Sequence, residues 1–147
     1  MIESFFRTTL ALVARALDVP EPRLEITNDV PNARSMDGTI LVNPQFARRQ
    51  FSFFCSDEAC NRSLAAAMVA HELAHLMLDD DAAHPRDREL WSDWIAGRVI
   101  SMQGMSPEPV VEMLKTFPAT GTHPPPSRRI AAFMSGVHGV PIPQGEA

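Results

Sequence analysis

The chain lacks several features that mark common classes of protein. It contains no tyrosine, so no phenolic hydroxyl is available at any functional site. No cluster of lysine and arginine outweighs the formal charge of −5, which argues against nucleic-acid binding. No stretch reaches the roughly 18 uncharged apolar residues that span a bilayer, so we expect neither a membrane helix nor a membrane partner.

Cysteine is also scarce, because Cys55 and Cys60 are the two cysteines of the chain. Two cysteines are too few for a disulfide framework. The N-terminal stretch MIESFFRTTLALVARALDVP is expected to be an amphipathic helix of the folded domain and not a signal peptide, since Arg15 and Asp18 interrupt its apolar run. Together these features predict free thiols in a reducing compartment, with the cytoplasm as the location.

The 147 residues, 45% of them hydrophobic, predict one domain over residues 1–147 with an α+β fold. Strands are expected before residue 45. LEIT at 24–27 alternates apolar and polar residues, and ARSM and TILVN flank Asp37-Gly38, a pair that favours a tight hairpin turn. Helices are predicted before Pro20, over about Ser63–Leu78 and Asp87–Gln103, from an N-cap at Ser106 to before Pro118, and over Ser127–Ser135 with Gly136 closing the last one.

The most informative stretch is HELAH, residues 71–75, which lies inside an otherwise apolar helical run. His71 and His75 are one helical turn apart, so both imidazoles can reach one metal ion. Glu72 is rotated by about 100° from His71, which suits a base that acts on a water at the metal better than a ligand. A chance match to this pattern is expected on the order of 0.01 times in such a chain. The alternative is two hydrogen-bonded core histidines beside a surface glutamate.

A catalytic zinc usually takes three protein ligands, so a third ligand is needed. Asp81 and His84 are candidates on the following loop. Glu89 is preferred because it begins the next helix with Asp93 one turn later, where Asp93 can accept a hydrogen bond from a ligand histidine. Gly97 extends the same stripe and predicts a close approach to the HELAH helix. The alternative for Glu89 and Asp93 is a solvated helix face.

Three segments in this order resemble the gluzincin metallopeptidases, and more closely the soluble catalytic part of the HtpX and CAAX-prenyl-endopeptidase family. They are HELAH at 71–75, ELWSD at 89–93, which is similar to the family pattern E-x-x-A-D, and THPPPSRRIAAF at 122–133, which is similar to T-H-P-P-x-x-x-R-I. The resemblance covers roughly residues 32–136. It implies a compact zincin-like domain, in which a small mixed sheet with an edge-strand hairpin at 32–43 packs on the metal-bearing helices.

The resemblance also implies a function, that of a zinc-dependent endopeptidase acting on a peptide or protein substrate. One Zn²⁺ per chain would be held by His71, His75 and Glu89, with Asp93 behind a ligand. Glu72 would be the general base for a metal-activated water. An extended substrate would lie along the edge strand.

The chain departs from the family at several points. Ser92 stands where the family usually has alanine, and Leu78 replaces the glycine that a related branch needs to use a residue placed like Asp81 as ligand. The membrane helices of the best-known members are absent, so their substrates do not carry over. With no tyrosine, oxyanion stabilisation by a side chain is left to His123, Arg128 or Arg129, and His123 has a structural hydrogen-bonding role as its alternative.

Two other readings come from different classes of protein. Cys55, Cys60, His71 and His75 approach the spacing of a structural Cys2His2 zinc module, although the middle gap is two residues short and Glu72 is left without a role. A catalytically silent zincin fold could also serve as a metal-dependent sensor or binding module. The sequence predicts no oligomeric state.

Overall fold

The computed structural model describes residues 1–78 and 85–143, which form an α+β fold as predicted. Three strands lie near the N-terminus, and helices make up most of the remainder. The described helices are α1 (Ile2–Leu17), α2 (Pro44–Phe54), α3 (Glu58–Met77), α4 (Pro85–Met102), α5 (Glu108–Leu114) and α6 (Pro126–His138), and the strands are β1 (Arg23–Ile26), β2 (Ala33–Met36) and β3 (Thr39–Val42).

The three strands form a mixed sheet in the order β1-β3-β2. β1 is parallel to β3, whereas β2 and β3 form the predicted antiparallel hairpin. Asp37 and Gly38 both adopt positive φ, at 51° and 73°, because a two-residue hairpin turn of this twist requires it at both positions. β2 lies at the edge of the sheet and packs on α3.

The predicted N-terminal helix is confirmed as α1, which buries one face formed by Phe6, Leu10 and Val13. Asp18 ends it in the left-handed conformation, with φ of 55°. Its buried side contacts α3, so α1 covers the central helix on one side.

Helix α2 was not predicted from the sequence. Asn43, the last residue of the stretch TILVN, caps it by accepting a hydrogen bond from the Phe46 amide at 2.9 Å, and Pro44 occupies the first turn. An Asx cap followed by proline is a helix start, so the signal was present in the sequence. The apolar run before it was interpreted as a strand, and no helix was predicted after that strand.

Helix α3 is the centre of the fold, and it begins at Glu58, five residues earlier than predicted. Asp57 caps it by accepting from the Cys60 amide at 2.8 Å. Every residue from Ser63 to Ala70 is buried, because α1, α2, α4, α5 and the sheet surround this part of the helix. The small alanine side chains allow those neighbours to approach closely. The HELAH stretch follows directly, where α3 emerges from the core.

The expectation of free thiols is wrong, because Cys55 and Cys60 form a disulfide. α2 ends at Phe54 and α3 begins at Glu58, and the short turn between them brings the two Cα atoms to 5.4 Å, within normal disulfide range. The cytoplasmic location, which depended on reduced thiols, stays a prediction.

The contact that explains Gly97 differs from the predicted one. Gly97 of α4 lies against the backbone of α6 at Phe133 and Val137, not against α3. Gly136 is not the end of the last helix but part of the same contact, where it meets the backbone of Trp94. α6 therefore continues to His138, and Gly139 ends it with φ of 68°.

The boundaries of the other C-terminal helices agree with the predictions to within a few residues. α4 begins two residues early, at Pro85, and α5 is capped by Pro107 and not by Ser106. No helix in the described ranges has both the length and the apolar character that crossing a bilayer demands.

Candidate metal centre

His71 and His75 lie on the last two turns of α3 and face the same direction, as their spacing predicts. Their Nε2 atoms are 3.2 Å apart, and their side chains are 13% and 20% exposed. The turns of α3 that precede them, from Ser63 to Ala70, are buried, and the two imidazoles lie where α3 leaves the core.

Glu89 lies in the second turn of α4 and completes the cluster. Its Oε2 atom is 2.7 Å from Nε2 of His71 and 3.3 Å from Nε2 of His75. Tetrahedral ligands at zinc-ligand distances of about 2.0–2.1 Å stand roughly 3.3 Å from one another. The three donor atoms, two nitrogens and one carboxylate oxygen, are therefore spaced so that they could hold a metal ion.

Asp93 forms the predicted hydrogen bond with His71, at the ring nitrogen that does not face Glu89. Its Oδ1 atom lies 2.9 Å from Nδ1 of His71. When Nδ1 donates this hydrogen bond in the neutral imidazole, the lone pair of Nε2 points at the cluster, which is the tautomer that a metal ligand needs. The i, i+4 spacing of Glu89 and Asp93 thus places one carboxylate among the donor atoms and the other behind His71.

Arg129 of α6 is the partner of Asp93, a contact that the sequence did not predict. Its Nε donates to Oδ2 at 2.7 Å and its Nη2 to Oδ1 at 2.9 Å, and both side chains are almost fully buried. Burial lowers the pKa of Arg129, but the hydrogen bonds and charge of Asp93 outweigh it and raise the pKa above its usual value. A fork of two charge-assisted hydrogen bonds fixes the orientation of the Asp93 carboxylate.

The electrostatics of the cluster favour a positive charge at its centre. Burial lowers the pKa of His71, but the Glu89 carboxylate and the hydrogen bonds to Asp93 and Glu89 prevail and raise it from 6.5 to about 10. Burial raises the pKa of Glu89, yet the charges and hydrogen bonds of His71 and His75 hold it well below its usual range. A proton or a cation is thus stabilised between these side chains.

Glu72 lines a cavity that His71 and Asp93 also line. Burial raises the pKa of Glu72, and the charges of His71 and His75, with a smaller effect of Ser35 on β2, partly oppose this rise. Glu72 is outside the set of converging donor atoms, in keeping with its predicted role as a base rather than a ligand. Ala33 of β2 lines the same cavity, so the edge strand lies beside the site.

His123 reaches the site from the turn that precedes α6. Its Nε2 lies 3.1 Å from Oε1 of Glu89, the carboxylate oxygen that does not face the α3 histidines. Its Nδ1 is 3.0 Å from the Thr120 hydroxyl and 3.1 Å from that of Thr122, and its side chain is 44% exposed. His123 is therefore held in place at the mouth of the cavity.

The remaining candidates from the sequence are two arginines of α6 and two residues of the segment before α4. Arg128 is half-buried on α6 and does not line the cavity beside His71, whereas its neighbour Arg129 does. Asp81 and His84, the alternative third ligands, lie outside the described residues. The contributions of Ser35 and of the threonine pair beside His123 were not found from the sequence, because isolated hydroxyl residues on a strand or turn carry no pattern.

The Cys2His2 alternative disagrees with the geometry. The two sulfurs are bonded to each other, and Cys60 lies eleven residues before His71 on the same helix, which corresponds to a rise of about 16 Å. One ion cannot bind groups at both ends of such a segment.

The Cys55→Ser/Cys60→Ser double variant is therefore expected to bind zinc with the stoichiometry of the wild type. Its free energy of unfolding should fall by about 2 kcal/mol, since a short cross-linked loop is released. Metal analysis and urea unfolding measure the two effects. Loss of zinc from the folded variant would restore the cysteine-ligand alternative.

Asp93→Asn is expected to weaken zinc binding about 10- to 100-fold, because the hydrogen bond that orients His71 loses its charged acceptor. Competition with a chromogenic chelator measures the affinity. Ser92→Ala is the matched control, since the neighbouring Ser92 is buried and its hydroxyl donates to the Arg88 carbonyl at 2.8 Å, away from the cluster. Equal zinc affinities of Asp93→Asn and Ser92→Ala would show that Asp93 does not contribute to metal binding.

No family model, curated protein or solved structure matches the chain. A functional assignment therefore depends on the geometry of the site and on the motifs that form it.

Proposed function

We propose that the protein is a zinc-dependent endopeptidase with a zincin-like fold. The observation that carries the proposal is the convergence of His71, His75 and Glu89, whose donor atoms lie 2.7–3.3 Å from one another. A glutamate with no place among those donors, Glu72, flanks them on the side of the cavity. Three ligands, an oriented imidazole and a free base are the parts that metal-assisted hydrolysis needs.

His71, His75 and Glu89 would hold the ion. When bound, zinc supplies Lewis acidity toward the scissile carbonyl and lowers the pKa of a water to about 7. Glu72 accepts a proton from the attacking water at its carboxylate and passes it to the leaving amine. Asp93 and Arg129 keep the His71 imidazole in its orientation. His123 would donate from its Nε2 atom to a developing oxyanion, or would keep Glu89 in place.

The substrate would be an extended peptide laid along β2. Within residues 1–78 and 85–143, β2 pairs with β3 on one side only, so its other edge offers backbone groups for pairing. Ala33 of β2 and Glu72 line the same cavity, so this strand lies beside the proposed base. A peptide added as a further strand would therefore pass in front of the proposed ligands.

The first test is metal content. The wild type should bind about one zinc ion per chain, and His71→Ala, His75→Ala and Glu89→Ala should each lose it, since two ligands do not retain a catalytic zinc. His138→Ala is the control, because His138 is an exposed histidine at the far end of α6. Elemental analysis after gel filtration gives the stoichiometry.

Activity is the second part of the same test. Unfolded proteins offer extended backbone, so casein cleavage should be lost on addition of a chelator and restored by zinc. Zinc that remains in His71→Ala or His75→Ala would refute the site. A zinc-binding wild type that cleaves nothing in a broad screen would favour the sensor or binding module.

A further inference from the structure

The cavity beside Glu72 is a chamber of about 270 Å³, which has a mainly apolar lining and borders the proposed metal centre at His71. Its deep wall is formed by buried side chains of three helices, namely Met68, Val110, Met113, Leu114 and Phe133. His71, Glu72 and His123 stand at its polar side. A mainly apolar cavity that is bordered by a few polar groups has the character of a ligand pocket.

Two of the charged groups that line the chamber are already paired with each other. Asp93 and Arg129 line it but are bound to each other through two hydrogen bonds. The Arg129 guanidinium also lies 5.7 Å from the centre of the Phe117 ring, which keeps this ring in the wall. A charged ligand group would find no unpaired charge at Asp93 or Arg129. An apolar group would make van der Waals contacts with the apolar lining.

The start of the edge strand connects this chamber to the path of a substrate. Ala33, the first residue of β2, and Asn32 just before it line the chamber. A peptide that runs along β2 therefore crosses the opening and can direct one side chain inward while its backbone remains near Glu72. The volume is at the lower limit of small-molecule pockets, which suits one large side chain.

We infer that this chamber is a specificity pocket, which selects a bulky apolar side chain such as phenylalanine, leucine or methionine next to the cleaved bond. The inference rests on the proposed peptidase function for the position of the cleaved bond. The existence of an apolar side-chain site does not depend on catalysis, so binding and cleavage can test it separately.

The cleavage test maps the products of unfolded casein by mass spectrometry. Bulky apolar residues should be enriched on one fixed side of the cleaved bond. For capped hexapeptides that differ at that position alone, kcat/KM should be at least about tenfold higher for phenylalanine or leucine than for alanine, and lowest for aspartate.

Substitutions of Val110 and Val111, two adjacent residues of α5, test whether the chamber causes this preference. Val110 lines it, whereas Val111 does not. Val110→Phe should fill the chamber and reduce the preference for phenylalanine over alanine at least about tenfold, while Val111→Phe, the same change one residue along, should leave it unaltered. Val110→Ala enlarges the chamber without overpacking and should shift the side-chain preference of cleavage toward tryptophan.

The binding test uses zinc-loaded Glu72→Gln, which keeps the proposed ligands but lacks the base. Fluorescence anisotropy of the phenylalanine and alanine hexapeptides should show tighter binding of the former, and Val110→Phe in the same background should remove the difference. Equal binding of both peptides would overturn the inference. If the wild type cleaves without side-chain preference, the inference is wrong while the peptidase function stands. If the phenylalanine peptide binds selectively but the wild type cleaves nothing, the pocket is supported and the peptidase function is refuted.

Discussion

Glu72→Gln is expected to lower the rate of peptide hydrolysis at least about 10²- to 10⁴-fold, the usual contribution of a positioned acid-base group. The amide preserves the shape of the side chain but cannot accept a proton from water. Zinc should remain at about one ion per chain, because His71, His75 and Glu89 are unchanged. Initial rates on casein, together with metal analysis of the same samples, measure both properties.

Glu58→Gln is the matched control for this change. Glu58 lies at the opposite end of α3, with its side chain 73% exposed in an i, i+4 pair with Arg62. The same chemical change there should leave both zinc and activity intact. If Glu72→Gln cleaves as fast as the wild type and both remain sensitive to chelator, the proposed mechanism is wrong even though the zinc site is right.

The second large effect is expected on stability, at the contact between α4 and α6. A Cβ atom on Gly97 would overlap the Phe133 carbonyl oxygen and lie 2.8 Å from the Val137 nitrogen, and one on Gly136 would overlap the Trp94 carbonyl oxygen. These are backbone atoms that cannot rotate away, so the helices must separate. Gly97→Ala and Gly136→Ala should each lower the free energy of unfolding by about 3 kcal/mol or more.

Gly121→Ala is the control, because a Cβ there meets nothing within 4 Å and the backbone does not have positive φ. It should change stability by no more than about 0.5 kcal/mol. Urea unfolding followed by tryptophan fluorescence measures all three variants. Wild-type stability of Gly97→Ala would mean that α4 and α6 are not in backbone contact.

The same helix contact matters for the site. α4 carries Glu89 and Asp93, and α6 carries Arg129, so the fork between Arg129 and Asp93 exists only when the two helices are packed closely. Separation of the helices by an added methyl group is expected to weaken zinc binding as well as stability. The two glycines therefore connect the packing of the helices to the orientation of His71.

Much of the candidate site could be predicted because its parts are local. The relation of His71 to His75, and that of Glu89 to Asp93, follow from the period of one α-helix, which holds wherever that helix packs. The hairpin at Asp37-Gly38 was predictable for the same reason, since the two residues themselves supply the positive φ angles.

The errors have equally specific causes. Helix α2 was missed although Asn43-Pro44 is a local start signal, and α3 was begun late because its first turns, from Glu58, are polar and lie outside the apolar run. The disulfide could not be predicted, because it depends on how closely the turn after Phe54 brings two residues together. Gly97 indicated a close approach correctly but could not indicate the partner.

The sequence by itself determined which side chains share a helix face and where the hairpin turns, because backbone geometry relates residues that are a few positions apart. Only the tertiary structure decided that Glu89 meets both histidines, that Arg129 holds Asp93 from 36 residues away, and that an apolar chamber opens beside Glu72. Such contacts depend on how helices pack against one another. Packing is set by the fit of many side chains at once, and no short segment of the chain contains that information.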